Sequence, residues 1–216
     1  MVVDRMHRTR RILGANEKGL LEPIGASDGA SGGDAKSGST RQGGPVQSCI
    51  GGLMLNQLGW AALFGLQVGI FGRQADDEAG RILRAAMEAH EIVTDLDLTG
   101  SASSIAEIFV DDAGERAIYM AAAATAETRP EHLPGHSGFI TRASRLSTEI
   151  SQLPLDTTLA ALKLAHASGL STVVDLDVLP SDAVVGLGDR ATLDAVLGEA
   201  DLLKPTSSTE SYSWRR

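Results

Sequence analysis

The sequence has one cysteine among 216 residues, few aromatic side chains (4%) and no metal-ligand spacing, and each shortage narrows what the chain can be. A lone Cys49 cannot form an intramolecular disulfide or a cysteine-rich zinc site, which fits a reducing, cytoplasmic setting. With so few rings, a core must be built from Leu, Val, Ile and Ala. The five histidines follow no ligand pattern. His132 and His136 are four apart, but Pro134 and Gly135 between them disfavour a helix, so the histidines read as surface or loop residues. The basic start is not followed by an apolar h-region, so no secretory signal is indicated.

What is present reads as a globular body. Hydrophobic residues make up 43% and charged residues 22% of a chain long enough for one domain. The net charge of -9 is uneven: residues 1–50 hold seven Lys/Arg against five Asp/Glu, and the acids dominate afterwards. An acidic body argues against nucleic acid as a partner. Residues 50–72 carry no charge and are long enough to cross a bilayer. Asn56, Gln57, Gln67, the internal glycines and a change of pattern near Gly65 favour a buried helix followed by a buried strand, with no membrane partner.

Composition divides the chain in three. Residues 1–48 are rich in Gly and Ser, include Arg8, Arg10 and Arg11, and lack apolar periodicity; the expectation is disorder. Gly33-Asp34-Ala35-Lys36-Ser37 is not a phosphate loop, because Ala30 and Ala35 stand where that motif requires glycine. Residues 49–205 carry the folded body, and 206–216 form a polar tail.

Within the body, residues 77–90 read as a helix with Ile82, Leu83, Ala86 and Met87 on one face. Asp76, Asp77 and Glu78 at its start suit helix capping better than catalysis. Two β-rich runs, 104–110 and 116–120, flank Asp111-Asp112-Ala113-Gly114, a turn with Gly in the left-handed position. From Arg145 the pattern alternates strand (146–150), helix (Leu155, Leu159, Leu162 and His166 on one face), strand (172–176), helix (191–197) and strand (201–204). Such alternation favours a parallel sheet with helices on its faces. Ligands of such sheets sit at the carboxyl ends of strands, where Asp175, Asp177 and Lys204 fall. Trp60 and Phe64, four apart, read as core.

The organising stretch is 51–80. Gly51 and Gly52 open it, an apolar segment carries Asn56, a strand-like run covers 68–71, and Asp76 and Asp77 precede Gly80. Glycines allow close backbone approach to a ligand, and the amide can both donate to and accept from a polyol. Gly51, Gly52, Asn56, Gly65, Asp76, Asp77 and Gly80 stand at the spacings of the N-terminal signature of the ribokinase-like (PfkB-type) carbohydrate kinases. The chain resembles that family from about Gly51 to Pro205, with Met54 and Ala75 as departures.

The resemblance implies a three-layer α/β fold, a parallel sheet with helices on both faces, incomplete at the C-terminus. It makes the hairpin at about 102–121 a lid over the sugar, whose exposed strand edge is where a homodimer would form. It implies ATP-dependent phosphorylation of a sugar or sugar-acid hydroxyl, with ATP and Mg²⁺ as cofactors. It gives Gly51, Gly52 and Asn56 to the sugar, and places Asp175 and Lys204 near the nucleotide and metal. Asp177 replaces the family's Asn, Leu179 and Pro180 occupy the place of an Arg, and Thr206 follows Lys204-Pro205 where the family has Asn. The family's first strand, with a sugar-binding Asp, is not identifiable in residues 1–50, since Asp4 and Asp28 lack apolar surroundings. The family's Gly-Ala-Gly-Asp segment, with its catalytic Asp and anion hole, does not occur in this sequence, so no catalytic residue is assigned. The expectation is therefore a kinase chain truncated before its catalytic half; the alternative is a non-catalytic sugar-binding or interaction fragment.

Overall fold

The computed structural model describes residues 1–9, 11–13 and 47–205. In chain order, β1 (Val2–Arg8), β2 (Gln47–Gly51), α1 (Leu53–Leu63), β3 (Gly69–Arg73), α2 (Glu78–Ala89) and β4 (Val93–Asp97) form the first half. A hairpin follows, β5 (Ile105–Val110) and β6 (Arg116–Ala121). The short α3 (Ala123–Ala126) and a 3-10 turn (Pro130–His132) lead into α4 (Leu133–Ile140). The chain continues through β7 (Arg145–Glu149), α5 (Leu155–Ala167), β8 (Ser171–Leu176), α6 (Pro180–Leu187), α7 (Arg190–Gly198) and β9 (Leu202–Pro205).

The first correction concerns β1. Residues 2–8, expected to be disordered, form an inner strand, antiparallel to β2 and parallel to β5. Val2 and Val3 are buried, while Arg5 and His7 both pair with Glu107 across the ladder. The partners that hold this polar strand lie about a hundred residues away, so its own sequence does not show it. The remainder of 1–48, including Asp28 and the 33–37 segment, lies outside the described residues except for residues 1, 9, 11–13 and 47–48. The polar tail 206–216 also lies outside them.

The second correction concerns the sheet. The expected single parallel sheet is divided in three: a mixed sheet of order β2-β1-β5-β6, a pair β3-β4, and a triplet β7-β8-β9. Within the pair and the triplet every neighbour is parallel. β3 and β7 are sheet edges, and among the described residues no strand joins them.

Two apolar clusters hold these units. One surrounds α5, where Ile150, Leu155, Leu162, Val174, Leu193 and Val196 are fully buried. The other collects Val3, Leu55, Leu83, Met87 and Ile92 beneath β1, α1 and α2. Local signals explain the boundaries. Asp77 caps α2, its carboxylate accepting from the Gly80 amide at 2.8 Å, and its other oxygen accepts from the Ser103 amide at the root of the hairpin. Gly114 takes a φ of 84°, and Asp111 accepts from the Ala113 and Glu115 amides, as a tight hairpin turn requires.

Three smaller expectations change. Trp60 and Phe64 are 65% and 80% exposed and stack on one another; apart from Asn56 and Gln57 the side chains of α1 are apolar or absent, so periodicity could not tell which face is buried. The segment around His136 is helical, because Pro134 falls in the first turn, where a missing N–H costs nothing. His136 is therefore buried, its Nδ1 3.0 Å from an Asp95 carboxylate oxygen. No helix among the described residues is long and apolar enough to cross a membrane.

Candidate functional site

Two groups of expected site residues lie on different sheets. The first is at the junction of β2 and α1. Gly51 ends β2 opposite Val2, and a Cβ built on it would lie 2.0 Å from a carboxylate oxygen of Asp4. Any residue but glycine there would displace that carboxylate. Gly52, at φ 91°, turns the chain into α1. Asn56 sits one helical turn on, its backbone N–H donating to the Gly52 carbonyl, and is exposed.

The second group lies at the carboxyl ends of the parallel triplet. Glu149, Asp175 and Lys204 stand side by side in register across β7, β8 and β9. Asp175 is 1% exposed and accepts on one oxygen from both Lys204 Nζ, at 2.5 Å, and Gln57 Nε2, at 2.6 Å. Glu149 is buried, and one of its oxygens accepts from the amides of Ser151 and Gln152 and from the Ser151 hydroxyl.

Gln57 thus ties α1, which begins at the glycine pair, to the second group. The N-terminus supplies another link. The amine of Met1 is buried, which lowers its pKa, while the charges of Glu149 and Asp4 act in the opposite sense. Burial raises the Asp4 carboxyl, and the Met1 amine partly offsets the effect. Asp177 is pushed up to about 6, first by burial and then by the charge of Glu149, with Asp175 adding to it. The Met1 amine thus feels Asp4 and Glu149, Asp177 feels Glu149 and Asp175, and Lys204 pairs with Asp175.

Mg²⁺ is normally held by one or two carboxylates, with water and phosphate completing its shell. Among the described residues no three His, Cys, Asp or Glu side chains are grouped to enclose a metal. However, Asp175 and Asp177 each bury one carboxylate oxygen that lacks a hydrogen-bond partner, and this fits an ion shared with phosphates. Sequence reasoning set Asp4 aside for want of apolar surroundings, and passed over Gln57 and Glu149 as site residues. For Glu149 the only available signal was positional, since it ends a strand of the alternating half, as Asp175 and Lys204 lie one residue before the ends of theirs.

The fold is shared with solved sugar and nucleoside kinases. The ribokinase from Thermotoga maritima superposes with a TM-score of 0.68 at 17% identity, covering 96% of this chain and 57% of that one. The fructokinase from Xylella fastidiosa gives 0.65 at 18%, covering 94% and 58%. The adenosine kinase from Sinorhizobium meliloti gives 0.62 at 24%, covering 74% and 50%. The chain thus spans between half and three-fifths of the length of these three. The model of the pfkB family carbohydrate kinases matches residues 23–214, and the chain belongs to that family.

Proposed function

We propose that this chain supplies the sugar-binding part of a PfkB-type kinase site and does not itself transfer phosphate. The observation that carries this reading is the Asp4 carboxylate lying in the space that only a glycine at position 51 leaves open. A carboxylate held at a glycine-lined junction accepts hydrogen bonds from adjacent hydroxyls of a sugar or sugar acid. Gly51 and Gly52 let the ligand approach the backbone, and the exposed Asn56 adds an amide from α1. The expected role of the family's first-strand Asp thus passes to Asp4. The hairpin β5–β6, built onto β1, is the lid, and its edge strand β6 is the surface for homodimer formation.

Asp175 and Lys204 belong to the phosphate side of the same site. Mg²⁺ bound to ATP would neutralise phosphate charge there, with the unpaired oxygens of Asp175 and Asp177 as its protein ligands. Lys204 neutralises Asp175 in the unliganded state and is placed to meet a phosphate instead. The sequence contains no Gly-Ala-Gly-Asp turn to remove the hydroxyl proton and stabilise developing charge, so binding without turnover is the function proposed.

Calorimetric titration with a panel of sugars and sugar acids, with and without ATP-Mg²⁺, tests this. A sugar should bind, and Asp4→Asn should weaken it by at least about tenfold, the loss of one charge-assisted hydrogen bond. Steady ATP-dependent phosphorylation by the purified chain, or sugar binding indifferent to Asp4→Asn, would overturn it.

A further inference from the structure

The end of α1 carries a cluster of exposed apolar side chains. Trp60 and Leu63 are 65% and 68% exposed, and Phe64 and Leu66, just past the helix, are 80% and 63% exposed. Trp60, Leu63 and Phe64 follow the i, i+3, i+4 spacing that places side chains on one face. The rings of Trp60 and Phe64 stack with centroids 6.4 Å apart. The backbone holds this arrangement firmly. Gly65 takes a φ of 81°, its N–H donates to the Ala62 carbonyl at 2.8 Å, and the Leu66 N–H donates to the Ala61 carbonyl at 3.1 Å. These are the paired bonds of a Schellman cap, and they fix Leu66 beside the helix end. The four side chains form one preorganised patch of roughly 500 Å², a size that marks an interaction surface.

We propose that this patch pairs with the same patch on a second copy of the chain. A two-fold contact needs a surface that complements itself, with a projection and a hollow side by side. Trp60 and Phe64 are the projection. Gly59 is the hollow, since a Cβ built on it meets nothing within 4 Å. At 100° per residue it falls on the same face, on the side of Leu63 away from Phe64. A ring of one copy can therefore lie over Gly59 of the other, and the reverse. Two such patches bury about 1,000 Å² together, the lower limit of a specific interface, so the pairing is expected to be reversible.

Charge favours a second copy over a lipid surface. Residues 50–72 carry no charge, whereas the whole chain carries -9. Two copies meeting through this patch bring no like charges together, and most other approaches do. A helix that lies in a membrane interface carries Lys and Arg beside its apolar face. α1 has neither, and the acidic body is repelled by anionic lipid. Asn56, one turn before Trp60, stays at the rim of the contact. The interface lies on a different element from β6, and it does not depend on the sugar reading.

Sedimentation of the full chain over a dilution series measures the pairing, and oxidative labelling of Trp60 and Phe64 reports whether this surface is covered. The chain should pair with a dissociation constant of micromolar order, and labelling of both rings should fall as the protein is concentrated. Trp60→Ser and Phe64→Ser should each weaken pairing by at least about tenfold, with Trp60→Phe close to the parent. Both side chains are exposed, so Tm should stay within about 2 °C of the parent in every variant. Ile118→Asp, on β6, should leave this pairing intact. A chain that remains monomeric up to about 1 mM would overturn the proposal. So would pairing that survives Trp60→Ser combined with Phe64→Ser, or pairing abolished by Ile118→Asp alone. Rings protected equally at every dilution would show the patch covered by its own chain. Rings protected only on adding vesicles of phosphatidylglycerol would assign it to lipid. Either result would also overturn the proposal.

Discussion

The parallel triplet and the mixed sheet are held in different ways. The triplet β7-β8-β9 is packed beneath α5 and α7, with Leu155, Leu162, Val174, Leu193 and Val196 sealed from solvent. The mixed sheet β2-β1-β5-β6 buries Val2, Val3 and Ala106, but its outer strand exposes Ile118, Tyr119 and Met120. Its ladder is reinforced by Arg5 and His7 on Glu107 and by the tie from Asp77 to Ser103. One region is stabilised by apolar burial, the other by register and polar pairing. The proposed phosphate side of the site belongs to the first, and the proposed sugar side to the second.

The largest test of that contrast is Leu162→Ala, which should cost about 2–5 kcal/mol in denaturant unfolding, because the neighbours cannot collapse into the space. A loss below about 1 kcal/mol would show the triplet to be loosely packed. Next is Asp177→Asn. The folded pKa of about 6 exceeds that of an ordinary aspartate, so the folded state binds this proton more tightly than the unfolded one. The resulting destabilisation is absent in acid, grows as pH rises from roughly 4 to 6, and is constant above. After allowance for partial solvent exposure, the variant should be more stable by about 1–2 kcal/mol at pH 7 and unchanged near pH 3. A pH-independent effect would remove the carboxylate cluster from the explanation.

Asp77→Ala should cost about 1 kcal/mol at neutral pH, the usual worth of an N-cap. Burial alone would raise the Asp77 pKa. The Ser103 and Gly80 amides and the Ser103 hydroxyl more than offset this, and the net shift is downward. Its contribution is therefore present above the ordinary aspartate range and lost as pH falls through the lowered folded value. If the tie matters to the mixed sheet, exchange in β5 should quicken in this variant while β8 is unaffected. Smallest is Ile118→Ala on the exposed strand, expected within about 0.5 kcal/mol of the parent at dilute concentration. A larger loss that fades on dilution would point to self-association through this edge.

How far the sequence disclosed this molecule follows from the same contrast. α2, α5, α7 and the hairpin carry their own punctuation: an Asp cap, a consistent apolar face, a Gly at a positive φ. Their positions were legible within a residue or two. β1 was not, because a strand reading Val-Val-Asp-Arg-Met-His-Arg has no apolar alternation and is specified by Glu107 and by β2. α4 was hidden by Pro134, whose effect depends on where in the helix it falls. In the site, the glycine pair and the strand-terminal Asp175 and Lys204 were visible as pattern. Asp4 and Gln57 were not, since their meaning lies in what stands opposite them: the missing side chain of Gly51, and Asp175.

β1 also has a mechanical consequence. Six successive residue pairs, from Val3 with Ile105 to Arg8 with Val110, lock it to the first strand of the hairpin, and Asp4 lies within that ladder. The hairpin therefore cannot swing without carrying the carboxylate with it. With the hairpin acting as the proposed lid, enclosure and recognition of a ligand would be one rigid displacement, so altering the far end of the hairpin should change how long a ligand stays more than how fast it arrives.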